Sequence, residues 1–246
     1  TGFSGVPSTY ALLLDRVDFA PHDLSALRYL TQAGGAMSPA LTARLRATFP
    51  RVRVYVMYGQ TEATARLTWL PPERLDQKTG SVGIPLDGVE LAVRREDGGA
   101  AATDEPGEVW VRGPNVMQGY WQNPQATAEV LRDGWLRTGD VGRLDADGYL
   151  WLSGRRSDMI KTGAHRVHPQ DIEEAISELP AVAEVAVVGV DDAVLGQVVK
   201  ACIVRGGELS ADQVKAHCRA RLAPFKIPKH VEFLAALPKT ASGKVR

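Results

Sequence analysis

Cysteine is scarce in this chain: only Cys202 and Cys218 occur among its 246 residues. Two thiols cannot build a disulfide framework, and theirs is not the spacing of a metal site. A fold without crosslinks, in a reducing cytoplasm, is therefore expected. An excess of either charge is also missing, because 29 Lys and Arg balance 29 Asp and Glu. That balance leaves no basic footprint for nucleic acid or for an anionic membrane surface. No apolar run approaches the roughly 18 residues of a spanning helix, no basic-plus-apolar leader opens the chain, and there is no internal repeat or low-complexity segment. What is present is an ordinary globular composition, 44% apolar, sufficient for one or two packed domains. The opening "TGFSGVPSTY" and the abrupt end at Arg246 lead us to expect a piece of a longer protein.

Periodicity divides the chain. Residues 8–17, "STYALLLDRV", have apolar side chains at helical spacing after Pro7, with Ser8 as the expected cap. "LRYLTQAGG" reads as a buried strand running into a glycine turn. "SPALTARLRATFP" begins on a Ser-Pro helix start and stops before Pro50, and "RVYVMYGQTE" is a second buried strand. Strand, helix, strand with short links is the pattern of a parallel α/β layer, whose ligands sit beyond the carboxyl ends of the strands. From about 80 to 153 the spacing shortens. "SVGIPLDGVELAVRREDGG", "GEVWVRG" and "DGYLWLSG" predict an antiparallel sheet or small barrel, interrupted by a helix at "PQATAEVLRDG". The remainder predicts a compact α+β unit. It contains a hairpin at "DMIKTGAHRV", a helix at "HPQDIEEAISEL", strands at "VAEVAVVGV" and "VVKACIVRG", a helix capped by Ser210, and a last strand at "KHVEFLAAL".

Four segments contain groups suited to chemistry. "YGQTEA" sets the hydroxyl of Thr61 and the carboxylate of Glu62 directly after a strand, beside Tyr58 and Gly59. Such a pair can serve a phosphate oxygen and a magnesium ion, or it can be a satisfied turn. "LRTGDVG" holds Asp140 between glycines, where it can accept from a ribose diol or close an Asx-turn. "SGRRSDMIKTGAHRV" gathers Arg155, Arg156, Lys161 and Arg166 around glycines, as phosphate ligands or as a solvated hinge. The end, "LPKTASGKVR", presents Lys244, either as a solvated tail residue or aimed at an anion.

In their order, these segments resemble the AMP-forming adenylating superfamily, which includes acyl- and aryl-CoA ligases and nonribosomal-peptide adenylation domains. The resemblance rests on "YGQTE", "GSVGIPLDGVEL", "GEVWVRGPNVMQGYW", "DGWLRTGDVGRLDADGYLWLSGR", "DMIKTGAHRVHPQDIEE" and "LPKTASGKVR", and it covers essentially the whole chain. It implies α/β plus α+β architecture: the end of a large domain at 1–154 (α/β layer 1–78, barrel-like part 79–154), then a small mobile domain at 155–246 with a hinge near 155–158.

The resemblance also implies a two-step reaction. A carboxylate and ATP give an acyl-adenylate and pyrophosphate, and then the thiol of coenzyme A displaces AMP. Matched residue by residue, Lys244 meets the carboxylate and the α-phosphate, Thr61 binds phosphate and Glu62 binds Mg2+. Asp140 takes the ribose diol, with Arg155 as a second ribose or phosphate contact. Tyr58 packs on adenine beside Gly59 and Gln60, and Gly35 and Ala36 line the adenine or acyl wall. Ser157 is the pivot, and the hairpin with Lys161, Gly163 and Ala164 borders the thiol passage.

Three departures stand out. The family's Ser/Thr/Gly-rich phosphate loop is absent from this chain, so about half of the enzyme is expected to lie elsewhere and this piece alone to be inactive. Ser157 stands where Asp or Lys is common, and Ala164 where glycine is usual. "GFSGVPSTYALLL" and "GGAMS" look more like fatty- or aryl-acid ligases than amino-acid activating modules. The alternatives are a ligase that loads a carrier-protein phosphopantetheine, marked by a neighbouring carrier domain, or a non-catalytic nucleotide-binding module, marked by a lost phosphate loop.

Overall fold

The computed structural model of the protein describes residues 1–240; Lys244 lies outside them. The chain divides into two compact units, Thr1–Leu152 and Ser153–Arg246.

In the first unit, β1 (Gly2–Gly5), β2 (Tyr29–Gln32) and β3 (Arg53–Tyr58) are parallel neighbours, extended by antiparallel β4 (Thr68–Leu70) and β5 (Ile84–Pro85). Helices α1 (Pro7–Arg16) and α2 (Pro39–Thr48) make the crossovers. In α2, Ser38 caps the first turn by accepting from Leu41 N–H at 3.2 Å, with Pro39 preset for the helix. Ser8 does not cap α1 as expected: the cap position is Val6, without a side-chain bond, because Pro7 already occupies the first helical turn. Tyr10, Leu30, Leu45, Val54, Val56 and Leu70 form the core of this layer.

The second sheet, with order β10-β9-β7-β6 and β8 on β9, comprises β6 (Glu90–Arg94), β7 (Gly107–Arg112), β8 (Leu131–Arg132), β9 (Trp135–Leu144) and β10 (Leu150–Arg155). The helix expected within it is α3 (Pro124–Val130), capped by Asn123. Two expectations change. Ile84–Pro85, read as part of this sheet, pairs with β4 of the first. Asp140, read as a turn residue, lies inside β9.

The β9–β10 hairpin is locked to the segment before β5. The Lys78 ammonium donates to Asp145 at 2.8 Å and to Asp147 at 2.7 Å, while the Trp151 indole N–H donates to Asp145 at 3.0 Å. Burial alone would raise the Asp145 pKa. The Lys78 ammonium, the indole and the backbone N–H groups of Tyr149 and Asp147 outweigh it and hold the carboxyl at about 2. A depressed folded-state value means that the unfolded chain binds the proton more readily. The stabilisation is therefore complete above the unfolded carboxyl value of about 4 and is lost as pH falls toward 2. Denaturant midpoints measured from pH 5 to pH 2 should show this acid step, and Lys78→Met should shrink it.

The second unit carries the α+β pattern expected of it. β11 (Ile160–Thr162) and β12 (His165–Val167) form the hairpin. β13 (Val182–Asp192) and β14 (Gly196–Arg205) form a long antiparallel pair, and β15 (His230–Leu234) runs parallel to β14. Helices α4 (Pro169–Ser177) and α5 (Ala211–Arg221) pack on the sheet through Ile172, Ile176, Val214 and Cys218, against Val187, Val199 and Ile203. Ser210 and Gln213 complete a reciprocal capping box on α5. Among the described residues, no helix is long and apolar enough to cross a membrane.

Candidate active site

The parallel strands of the first unit end in register, with Gly5 beside Gln32 and Gln32 beside Val56. Their carboxyl ends therefore open on one rim, where a ligand is expected in an open α/β sheet. Gly34, Gly35 and Ala36 follow β2 and are exposed. Buried Gln32 holds this turn by donating from Nε2 to Gly35 O at 2.7 Å.

After β3 the chain turns tightly. Gln60 O accepts from Ala63 N–H at 3.0 Å and from Ala65 N–H at 2.9 Å, and Leu67 N–H returns to Tyr58 O at 2.8 Å. Thr64 and Ala65 both sit in the left-handed region, with φ of 54° and 63°. The turn is pinned because Ala63 and Leu67 are fully buried in the core of the second sheet. Thr61 is left exposed, and among the described residues its hydroxyl has no hydrogen-bond partner.

Asp140 reaches the same region from a β-bulge. The β7–β9 partners jump from Trp110–Arg137 to Glu108–Val141, so a step of two residues in β7 meets a step of four in β9. Gly139 takes a φ of 75° within the bulge, and glycine is the residue that does so without strain. Thr138 stabilises the bulge by donating to Val109 O at 2.8 Å and accepting from Asp140 N–H at 3.1 Å. The Tyr58 hydroxyl donates to Asp140 Oδ2 at 2.6 Å, a short bond between two buried groups. Tyr58 and Asp140 are about equally buried, at 8% and 7% exposure, and the bond between them holds the Asp140 carboxyl in one orientation.

Sequence reasoning singled out no residue in 114–121, yet this loop braces the turn at three points. Asn115 Nδ2 donates to Ala63 O at 3.3 Å and to Arg66 O at 2.8 Å, Met117 N–H donates to Glu62 O at 2.7 Å, and the Tyr120 hydroxyl donates to Glu62 Oε1 at 2.9 Å. "GPNVMQGYW" was legible as part of a resemblance, but nothing in a separation of 58 residues signals that contact. Glu62 keeps its second oxygen without a partner among the described residues. This donor set fits magnesium, which is commonly held by one or two carboxylates plus substrate phosphates. No group of three or more His, Cys, Asp or Glu gathers among the described residues to cage a metal on its own.

In the second unit, exposed Arg155 ends β10, and its carbonyl accepts from Asp158 N–H at 3.2 Å. Ser157 is exposed, with its hydroxyl on Asp158 Oδ1 at 2.8 Å. The β11–β12 hairpin turns on Gly163 and Ala164. Gly163 has a φ of 57° and donates to Leu195 O at 2.8 Å, whereas Ala164 is not among the left-handed residues, so its methyl group costs the backbone nothing. Lys161 N–H donates to Gln197 Oε1 at 3.0 Å while its side chain stays exposed.

An α/β rim carrying an aspartate in a bulge and a Thr-Glu turn, followed in the chain by an α+β unit, defines an adenylating architecture. The chain belongs to the AMP-binding enzyme family: the family profile matches residues 1–121, and that of the AMP-binding enzyme C-terminal domain matches residues 171–244. A long-chain-fatty-acid–CoA ligase of Yersinia pestis is 39% identical over 246 residues, covering 100% of this chain and 43% of that protein. An amide bond synthetase from Marinactinospora thermotolerans has a TM-score of 0.94 and 36% identity, with 100% of this chain and 50% of that one covered. The o-succinylbenzoate coenzyme A synthetase of Bacillus subtilis, solved with ATP and a magnesium ion, has a TM-score of 0.88 and 35% identity, again over 100% of this chain and 50% of that one. The chain thus spans about half the length of the relatives it matches.

Proposed function

We propose that the full-length protein is an AMP-forming acid–thiol ligase. It joins a fatty or aryl carboxylic acid to ATP as an acyl-adenylate, releasing pyrophosphate, and then transfers the acyl group to the thiol of coenzyme A with release of AMP. The observation that carries this reading is the convergence, on one rim, of the Tyr58–Asp140 pair and the Thr61–Glu62 turn.

Asp140, fixed in a strand and oriented by Tyr58, is suited to accept from the two ribose hydroxyls. Thr61 offers an uncommitted hydroxyl to phosphate. Glu62 would hold the magnesium ion, which supplies charge neutralisation on the phosphates. Gly35 and Ala36, with Gly59 and Gln60, form the low wall of the rim on the adenine or acyl side. Lys244 supplies a compact cation between two anions that must meet, the carboxylate and the α-phosphate. Arg155 adds a second ribose or phosphate contact. Ser157 is the pivot, and Lys161, Gly163 and Ala164 border the thiol path after rotation.

The test is acid-dependent ATP–pyrophosphate exchange by the full-length protein across a panel of fatty and aromatic acids. Exchange with one acid class is expected. Its absence with every acid, from folded protein, would overturn the reading in favour of a nucleotide-binding module. The likeness to an amide bond synthetase supports a second reading of the last step, with an amine in place of the thiol. Identifying the product when coenzyme A, an amine or a carrier-protein phosphopantetheine is supplied decides between the acceptors.

A further inference from the structure

We infer that Tyr120 is a positioning residue for the metal-binding carboxylate: its hydroxyl holds Glu62 Oε1 so that the other oxygen is presented in one fixed direction. The inference rests on the proposed role of Glu62. Its own basis is the 2.9 Å bond between the Tyr120 hydroxyl and Glu62 Oε1, together with the 2.7 Å bond from Met117 N–H to Glu62 O. Backbone and side chain of one residue are thus gripped by a single loop.

The loop is itself built to stay in place. Tyr120 N–H donates to Thr127 Oγ1 at 2.9 Å, and Thr127 Oγ1 in turn donates to Asn123 O at 2.8 Å, which ties Tyr120 to the first turns of α3. Gly119, with a φ of 153°, passes so close to Thr127 that an added Cβ would lie 2.9 Å from its methyl carbon. At the other end, Asn115 anchors the loop on the carbonyls of Ala63 and Arg66, at either end of the left-handed pair.

A glutamate on a surface turn otherwise samples several rotamers. Magnesium demands near-ideal octahedral geometry and tolerates little misplacement of its ligands. Outer groups that hydrogen-bond a ligating carboxylate are commonly worth 10- to 100-fold in metal affinity. Tyr120 is 37% exposed, and water can replace part of its bond, so the expected effect lies at the lower end of that range.

The experiment measures Mn2+ affinity by electron paramagnetic resonance in the full-length protein saturated with a non-hydrolysable α,β-methylene analogue of ATP. Four forms are compared: wild type, Tyr120→Phe, Glu62→Gln and the double variant. Tyr120→Phe should weaken Mn2+ by about 10-fold with an unchanged melting temperature, and should add nothing in the Glu62→Gln background, because its effect runs through that carboxylate. In pyrophosphate exchange, the same variant should need more Mg2+ for half-maximal rate while keeping the acid KM. Unchanged Mn2+ affinity in Tyr120→Phe beside a weakened Glu62→Gln overturns the role of Tyr120 and leaves the ligase reading standing. Equal weakening by Tyr120→Phe with and without Glu62 also overturns it. Unchanged affinity in Glu62→Gln removes the metal role of Glu62 and the inference with it, whereas loss of exchange in the wild type counts against the ligase reading alone.

Discussion

Gly59→Ala will destabilise the first unit by about 3 kcal/mol and lower acid-dependent exchange by about 100-fold. A methyl group at Gly59 would sit 2.5 Å from the carbonyl carbon and oxygen of Ala65 and 2.6 Å from Arg66 N, all backbone atoms that cannot rotate aside. The facing segment has little room to retreat. Thr64 and Ala65 are already left-handed, Ala65 N–H is committed to Gln60 O, and Asn115 holds the carbonyls on both sides. The cost is therefore overpacking against fixed backbone, at the upper end of the usual range, and relief must come from moving the turn that carries Thr61 and Glu62. Displacing positioned groups by about 1 Å commonly costs about 100-fold in rate. Urea denaturation and exchange kinetics read the two effects separately. Gly207→Ala, away from the rim, is the control: its methyl group would meet Ala181 Cβ at 3.6 Å, an ordinary contact, with no left-handed backbone. If Gly59→Ala proves as stable and active as Gly207→Ala, the turn is softer than its hydrogen bonds imply.

Lys244→Ala in the full-length protein will lower the exchange rate by about 100- to 1000-fold, the size of effect seen when one charge-stabilising donor is removed from a transition state. The physical ground is that adenylation brings a carboxylate against an α-phosphate, two anions whose approach a point cation offsets. In the acyl-adenylate the carboxylate charge is gone, so thioester formation from added adenylate should fall by less than about 10-fold. Separate assays of the two half-reactions check this. An equal loss in both would mean that the lysine acts on the fold rather than on the charge.

The parallel layer was legible because its strands are apolar runs and its helices carry start signals such as Ser38-Pro39. The hairpin at 160–167 was legible for a similar reason, since a two-residue Gly-Ala corner separates two short matched strands. β1 was not, because Gly2–Gly5 is too short and too glycine-rich for periodicity to register. Asp140 was singled out for its chemistry but misplaced in a turn. Flanking glycines signal a bend, and only the register with β7 shows that the bend is a bulge within a strand. The Tyr58–Asp140 and Glu62–Tyr120 bonds join residues 82 and 58 positions apart. Such pairings are products of sheet packing, which composition and local spacing do not encode.

The bulge has a consequence for how this segment can change over generations. Because β9 carries an even number of additional residues there, Leu136, Thr138 and Asp140 all stay on the buried face. Loss or gain of a single residue between 136 and 141 would turn Asp140 outward, since strand side chains alternate. Drift by substitution at the outward positions can be absorbed, but a one-codon deletion cannot. The stretch is therefore guarded by its length more strictly than by its composition.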